Sequence, residues 1–119
     1  MMAAVDKLYA SNVLFHKSTG EDIHGIKEYK QFVSMLFNVI PDFHYTIDDL
    51  VTERDKVAVR STFTGTHKGE WRCFPPTDNK IKMWEIIIYR FADGKIVEGW
   101  SRSDSLYFMQ QLGIVPVSH

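Results

Sequence analysis

The stretch EIIIYRFADGKIVEGWSRSD, residues 85–104, ends in side chains that could do chemistry. Four of them are two residues apart and point to one face of an extended strand, namely Glu98, Trp100, Arg102 and Asp104. A carboxylate there could move a proton, and a guanidinium could hold an anionic ligand oxygen. The alternative is a solvent-facing ladder, because most charged side chains stay exposed. The tryptophan in the row favours a pocket wall.

The turn before this row decides which residues share its face. Ala92-Asp93-Gly94 fits a three-residue loop, in which a type I turn is followed by a left-handed glycine. The pairs that follow are Phe91 with Lys95, Arg90 with Ile96, Ile88 with Glu98, Ile86 with Trp100, and Trp84 with Arg102. The even-numbered residues then line one predicted pocket face. A two-residue loop would shift the pairing and divide the set.

Asp104 has two interpretations. Asp is a preferred N-cap, and SLYFMQQL after it predicts a short helix that ends at Gly113. A capping aspartate can also face the mouth of a cavity. An acid/base role near neutral pH needs a raised pKa, whereas a guanidinium as close as that of Arg102 would lower the pKa. Both roles stay open.

The other candidates are less specific. Arg90 could bind a carboxylate or phenolate, and His16 closes a short predicted strand and could point into the interior. Single histidines of this kind are more often structural, although their near-neutral pKa suits acid/base work. No metal or cofactor is predicted, because the chain has neither histidine pairs at metal-ligand spacing nor a glycine-rich phosphate loop. Cys73, the only cysteine, leaves no internal disulfide.

Hydrophobic periodicity predicts the elements that position these residues. A short helix is expected over 3–10 and a longer one over 26–38, where apolar residues recur every three and four positions. After Pro41 the period is two, as in strands. Strands are expected at 13–16, 42–51, 57–67, 70–74, 81–91 and 95–103. This order predicts an α+β fold in which a curved antiparallel sheet of four to six strands carries helices on its concave face.

Length and charge limit the classes of protein. A chain of 119 residues makes one domain. Its 14 basic and 15 acidic residues are scattered, which disfavours nucleic acid or an anionic membrane as partner. No apolar run approaches the roughly 20 residues of a membrane helix, and no secretory signal is evident. A cytoplasmic protein is expected. A homodimer through the outer sheet face is also expected, with Ile87 and Tyr89 on it, because a large apolar sheet surface needs a cover.

Short motifs along most of the chain carry a family resemblance. They are Pro41-Asp42, Asp55-Lys56-Val57-Ala58, Gly65-Thr66-His67-Lys68-Gly69, Pro76-Thr77, Arg90, Asp93-Gly94-Lys95-Ile96, Trp100, Asp104 and Gln111-Leu112-Gly113. In order and spacing they resemble the SnoaL-like polyketide cyclases of the NTF2-like superfamily. The departures are Arg54 for a usual glycine, one extra residue in Pro-Thr-Asp-Asn-Lys, and a shortened N-terminal helix.

The resemblance implies a single NTF2-like cone over residues 1–119 and a cofactor-free enzyme. Its reaction would be an intramolecular aldol-type ring closure or an isomerisation, with Asp104 at the position of the family's acid/base. The residues expected to bind the substrate are Arg90, Arg102, Trp100, Glu98, Ile88, Trp84 and His16. One alternative is non-enzymatic binding of a hydrophobic small ligand, anchored by Arg90 or Arg102. Another is a purely structural dimerisation domain.

Overall fold

A computed structural model describes residues 2–113. In that range the chain forms three helices and six strands. The helices are α1 (Met2–Leu8), α2 (Gly25–Val39) and α3 (Ser105–Leu112). The strands are β1 (Tyr9–His16), β2 (Asp22–His24), β3 (His44–Glu53), β4 (Lys56–Thr66), β5 (Lys80–Ala92) and β6 (Lys95–Ser103). No helix of this range is long and apolar enough to cross a membrane.

The six strands form one sheet in the order β2-β1-β6-β5-β4-β3. The sheet is mixed, because β1 runs parallel to β6 while every other neighbouring pair is antiparallel. The α+β prediction is confirmed, but a purely antiparallel sheet is wrong. The chain passes through α2 from the β2 edge to the β3 edge, and four antiparallel strands then lead back to β1.

Two local predictions also need correction. Residues 70–74 do not form a strand. They make a tight turn closed by a bridge between Trp71 and Phe74, in which Arg72 and Cys73 have positive φ angles of 47° and 69°. Strand β2 begins at the end of a stretch that was predicted as a loop. The sequence did not predict this strand, because three residues are too few to show the period of two.

Helix α2 packs on one face of the sheet, hereafter the inner face. Its residues Tyr29 and Phe32 pack against a buried cluster on that face, made of Phe15, Ile23 and Ile87. Leu36, one turn further on, packs against a second cluster at the C-terminal end of α2, made of Val39, Ile40, Ile81, Met83 and Leu112. The helix stripe predicted from periodicity therefore covers the sheet as expected.

The hairpin between β5 and β6 turns on two residues, so the predicted three-residue loop is wrong. Asp93 and Gly94 have φ angles of 52° and 77°, as in the mirror-image turn that suits the twist of paired strands. Ala92 pairs with Lys95 at the turn. After an irregularity the pairs are Arg90 with Glu98, Ile88 with Trp100, and Ile86 with Arg102. The extra residue at this bulge keeps the even-numbered side chains on one face.

That even-numbered face is the outer one, opposite α2. Ile87 is 5% exposed and packs in the cluster of Phe32, whereas Trp84 and Ile86 are 59% and 53% exposed. The prediction that Ile87 and Tyr89 lie outside is wrong, and so is an inward-facing even-numbered row. Strand β5 is apolar on both faces, so hydrophobicity could not tell one from the other.

Gly99 marks the inner face of β6. A Cβ added at Gly99 would lie 2.7 Å from a ring carbon of Phe15, closer than real contacts allow. Because Gly99 has no side chain, the Phe15 ring can pack directly on β6 beneath α2. Gly99 therefore faces inward, and its even-numbered neighbours on β6 point outward.

Candidate functional site

Four of the predicted site residues meet on the outer face in a charged cluster. His16 Nε2 lies 2.8 Å from Glu98 Oε2, and His16 Nδ1 lies 2.9 Å from Asp22 Oδ1. Arg90 donates from Nη2 to Glu98 Oε1 at 3.1 Å. The Trp100 ring stacks on His16 with 5.7 Å between centroids. The cluster ties β2, β1, β6 and β5 together across the sheet.

The charges of this outer cluster are mutually satisfied. The hydrogen bond with Glu98 raises the pKa of His16, and Asp22 adds to that effect while burial opposes it. The bond with His16, followed by Arg90, lowers the pKa of Glu98. Because each group is bonded to another, the cluster works as an ionic clamp with little capacity left for proton transfer.

The remaining predicted binding residues lie along the same open surface. Arg102 is opposite Ile86 and donates from Nη1 to the carbonyl of Ser101 at 2.8 Å. Ile88 is 39% exposed, and Trp84 is more exposed still. These residues share a face with the charged cluster, away from the interior beneath α2.

Asp104 begins α3 as its N-cap. Its Oδ1 accepts from the Tyr107 N–H at 2.9 Å, and Gly113 ends the helix in the left-handed conformation at φ 81°. Both predictions for α3 are confirmed. Ser18 fixes the end of β6 by accepting from the Ser103 N–H at 3.0 Å and donating to the Ser103 carbonyl at 2.8 Å.

The Asp104 carboxylate is exposed. Among the ion pairs of residues 2–113, none joins it to Arg102. The Arg102 guanidinium donates to a backbone carbonyl. One carboxylate oxygen of Asp104 is used in the cap, and the other accepts no hydrogen bond from the described part of the chain.

Glu85, on the inner face of β5, was missed by the sequence analysis. It lies between Met83, in the cluster of Leu36, and Ile87, in the cluster of Phe32. Its Oε2 accepts from Ser101 Oγ at 2.8 Å. Burial raises the pKa of Glu85, and the bond from Ser101 offsets part of that effect. The signal in the sequence is that Glu85 is the one charged residue among the odd-numbered positions of IKMWEIIIYRF. Those positions were predicted to lie on the outer face.

Three tyrosines lie near Glu85, of which Tyr9 is buried and Tyr45 is 37% exposed. The hydroxyls of Tyr9 and Tyr29 are 2.9 Å apart, and their rings stack at 4.4 Å between centroids. Burial raises the pKa of both phenols, and the charge of Glu85 adds to the effect. Burial followed by Glu85 also raises the pKa of Tyr45. These phenols therefore stay protonated and can donate hydrogen bonds.

Several residues of the family motifs make structural contacts. Asp42 accepts from the Thr66 N–H and from Thr66 Oγ1, both at 2.7 Å. A Cβ at Gly65 would lie 2.1 Å from Ile40 Cγ2, so only glycine fits there. His67 is fully buried and lies 3.0 Å from Thr77 Oγ1 through its Nδ1. The first two contacts join the end of β4 to the segment that follows α2, and the third joins it to the loop before β5.

The comparisons with known proteins agree with this fold. The chain matches the family model described as SnoaL-like polyketide cyclase over residues 1–112. A SnoaL-like candidate polyketide cyclase from Jannaschia sp. CCS1 shares the fold at 20% identity and a TM-score of 0.89, covering 97% of this chain and 80% of that one.

Two further solved structures have higher identity. IdmH from Streptomyces antibioticus, a candidate polyketide cyclase, is 28% identical with a TM-score of 0.81, covering 94% of this chain and 86% of its own. A candidate polyketide cyclase from Bacillus cereus ATCC 10987 is 31% identical with a TM-score of 0.80, covering 96% and 70%. No curated protein matches the chain significantly.

Proposed function

Because the chain belongs to the SnoaL-like polyketide cyclase family, we propose that it is a cofactor-free acid–base enzyme acting on a hydrophobic carbonyl compound. The reaction class is an intramolecular aldol-type ring closure or an isomerisation. The proposal rests on Asp104, which the resemblance to the family puts at the position of the acid/base. Its carboxylate is exposed, forms no ion pair with Arg102, and uses one oxygen in the cap of α3.

The chemistry needs a base and an acid. The Asp104 carboxylate takes a proton from the carbon next to a carbonyl, which leaves an enolate. The enolate carbon attacks a second carbonyl of the same molecule, and the new alkoxide takes up a proton. No proton is gained or lost overall. The amide of Tyr107, in the first turn of α3, donates to the carboxylate and holds it in place.

The test compares two substitutions of Asp104. Asp104→Asn keeps a good N-cap but removes the titratable group. The assay is exchange of α-protons for deuterium in aryl β-keto esters, followed by NMR with the full chain. We expect acceleration by the native protein and a loss of about 100-fold or more in Asp104→Asn. Native exchange rates in a variant that remains folded would contradict a catalytic Asp104.

A second candidate function is the binding of a hydrophobic ligand without turnover. It is favoured by the exposed apolar side chains of the outer face, which adjoin Arg102. A hydrophobic carboxylate such as 1-naphthoate would quench Trp84 fluorescence, and Arg102→Gln would weaken the affinity. Equal affinity of both proteins would exclude Arg102 as the anchor.

A further inference from the structure

We propose that Glu85 is a second proton-transfer group of this site, a carboxylic acid on the inner face that donates to the substrate oxygen. The inference rests on the proposed acid–base function, to which it adds a catalytic residue. In the reaction, the carbon-bound proton passes to Asp104, and the proton on Glu85 passes to the developing oxyanion. Asp104 then returns its proton to Glu85 through solvent, so that both groups are reset.

The strand register brings the two carboxyl groups to the same region. Glu85 pairs with Ser103 across β5 and β6, and Asp104 is the next residue. Paired Cα atoms are about 4.5–5.5 Å apart and consecutive ones about 3.8 Å, so the Cα atoms of Glu85 and Asp104 lie within roughly 9 Å. Glu85 lies beneath α2, whereas Asp104 lies at the exposed start of α3. The two residues therefore stand at the same end of the β5–β6 pair.

The surroundings of Glu85 favour its neutral form. Apolar clusters lie on both sides of it along β5. Ser101 donates the one side-chain hydrogen bond that its carboxyl receives from the described residues, and Oε1 accepts none. No ion pair within residues 2–113 includes Glu85. Burial raises the pKa of Glu85, and these surroundings favour a protonated carboxyl that can donate a hydrogen bond.

The polar groups around Glu85 keep a constant charge over the working pH range. Ser101 of β6 and Ser61 of β4 contact its carboxyl and its backbone carbonyl respectively. The phenols that feel its charge are Tyr9, Tyr29 and Tyr45, of β1, α2 and β3, and all have raised pKa values. They remain neutral, so a pH dependence at this position reports Glu85.

A purely structural role predicts different behaviour. A carboxyl bonded only to Ser101 costs desolvation energy in the core, which an apolar side chain would avoid. Its replacement by glutamine would then alter stability without altering the pH dependence of ligand binding. If Glu85 is a proton donor, the affinity of the protein for a ligand with an anionic oxygen depends on the protonation of Glu85.

The first experiment measures binding of 2,4-dinitrophenolate, an enolate mimic that stays ionised from mildly acidic to basic pH. We expect the affinity of the native chain to fall about 10- to 100-fold as pH rises through the pKa of Glu85. The ionised carboxylate can no longer donate a hydrogen bond to the phenolate oxygen. Glu85→Gln keeps a neutral donor and should bind without that pH dependence. Glu53→Gln, an exposed carboxyl-to-amide change on β3, should behave like the native chain.

The second experiment titrates Glu85 directly by NMR of ¹³C-labelled glutamate carboxyl groups, with Glu85→Gln for assignment. We expect a pKa above the ordinary value of about 4.3. Ser101→Ala removes a donor to the ionised form and should raise that pKa further, together with the pH at which phenolate affinity is lost. An ordinary pKa, or the same pH dependence of binding in Glu85→Gln, would overturn the proposal.

The two carboxyl groups can be judged separately. If Asp104→Asn abolishes α-proton exchange but keeps pH-dependent phenolate binding, both roles are supported. If Asp104→Asn keeps exchange while Glu85→Gln loses it, the role of Asp104 fails and that of Glu85 stands. Phenolate binding and the carboxyl titration decide on Glu85 even where no tested ester is turned over.

Discussion

Replacing Phe32 by alanine tests whether α2 holds the inner face together. Phe32 packs against the cluster of Phe15, Ile23 and Ile87, and Lys17 Nζ lies 5.2 Å from its ring centroid. A fully buried Phe→Ala change costs about 3–5 kcal/mol. Phe32 is only partly buried, and the cation contact contributes about 0.5–1 kcal/mol at an exposed site. We therefore expect Phe32→Ala to lower the free energy of unfolding by about 2–4 kcal/mol.

The assay is urea unfolding followed by circular dichroism, together with a thermal melt. In a chain of this size each kcal/mol shifts Tm by about 3–6 °C, so Tm should fall by roughly 6–24 °C. Met35→Ala, on the exposed side of the same helix, is the matched control and should change stability by less than about 0.5 kcal/mol. An unchanged Tm in Phe32→Ala, or equal losses in both variants, would remove this stripe from the core.

Three other predictions concern the cap, the ionic clamp and the outer face. Asp104→Ala should cost about 0.5–2 kcal/mol in unfolding free energy and Asp104→Asn almost nothing; equal losses in urea titrations would exclude the cap. The raised pKa of His16 stabilises the fold fully below about pH 6.5, and this stabilisation is lost as pH rises through the folded pKa. The lowered pKa of Glu98 stabilises it above about pH 4.3, and that contribution is lost as pH falls. The stability difference between native and His16→Gln should thus be largest between these values, and a pH-independent difference would refute the clamp. We propose a homodimer through the outer face, which light scattering at micromolar concentration should detect and Ile86→Lys should dissociate, whereas a native monomer would contradict it.

The parts of the fold with a local cause could be predicted. The apolar stripe of α2, its stop before Pro41 and the end of α3 at Gly113 follow from periodicity and backbone preference. The α+β class followed from the order of these elements. The parallel pairing of β1 with β6 joins residues about 85 positions apart, for which no local pattern exists.

The candidate site was harder to predict, because its position depends on which strand face is covered. Ile86 and Ile87 are equally apolar, although the first is exposed and the second is buried. The even-numbered row was therefore assigned to the wrong side. The cap at Asp104 was predictable from its own residue type and from the helix after it. Glu85 is a candidate because α2 covers its face of β5, and the sequence does not show which face α2 covers.

The three tryptophans can report which face of the sheet binds the ligand. Trp71 packs against the inner-face cluster that includes Met83 and Leu112, and its ring lies 6.1 Å from that of Phe108. Trp84 and Trp100 lie on the outer face. Their indole N–H signals can be followed by NMR during titration with 2,4-dinitrophenolate. A ligand bound beneath α2 should shift the Trp71 signal and leave the other two signals unchanged. Shifts of Trp84 and Trp100 without Trp71 would contradict a site beneath α2.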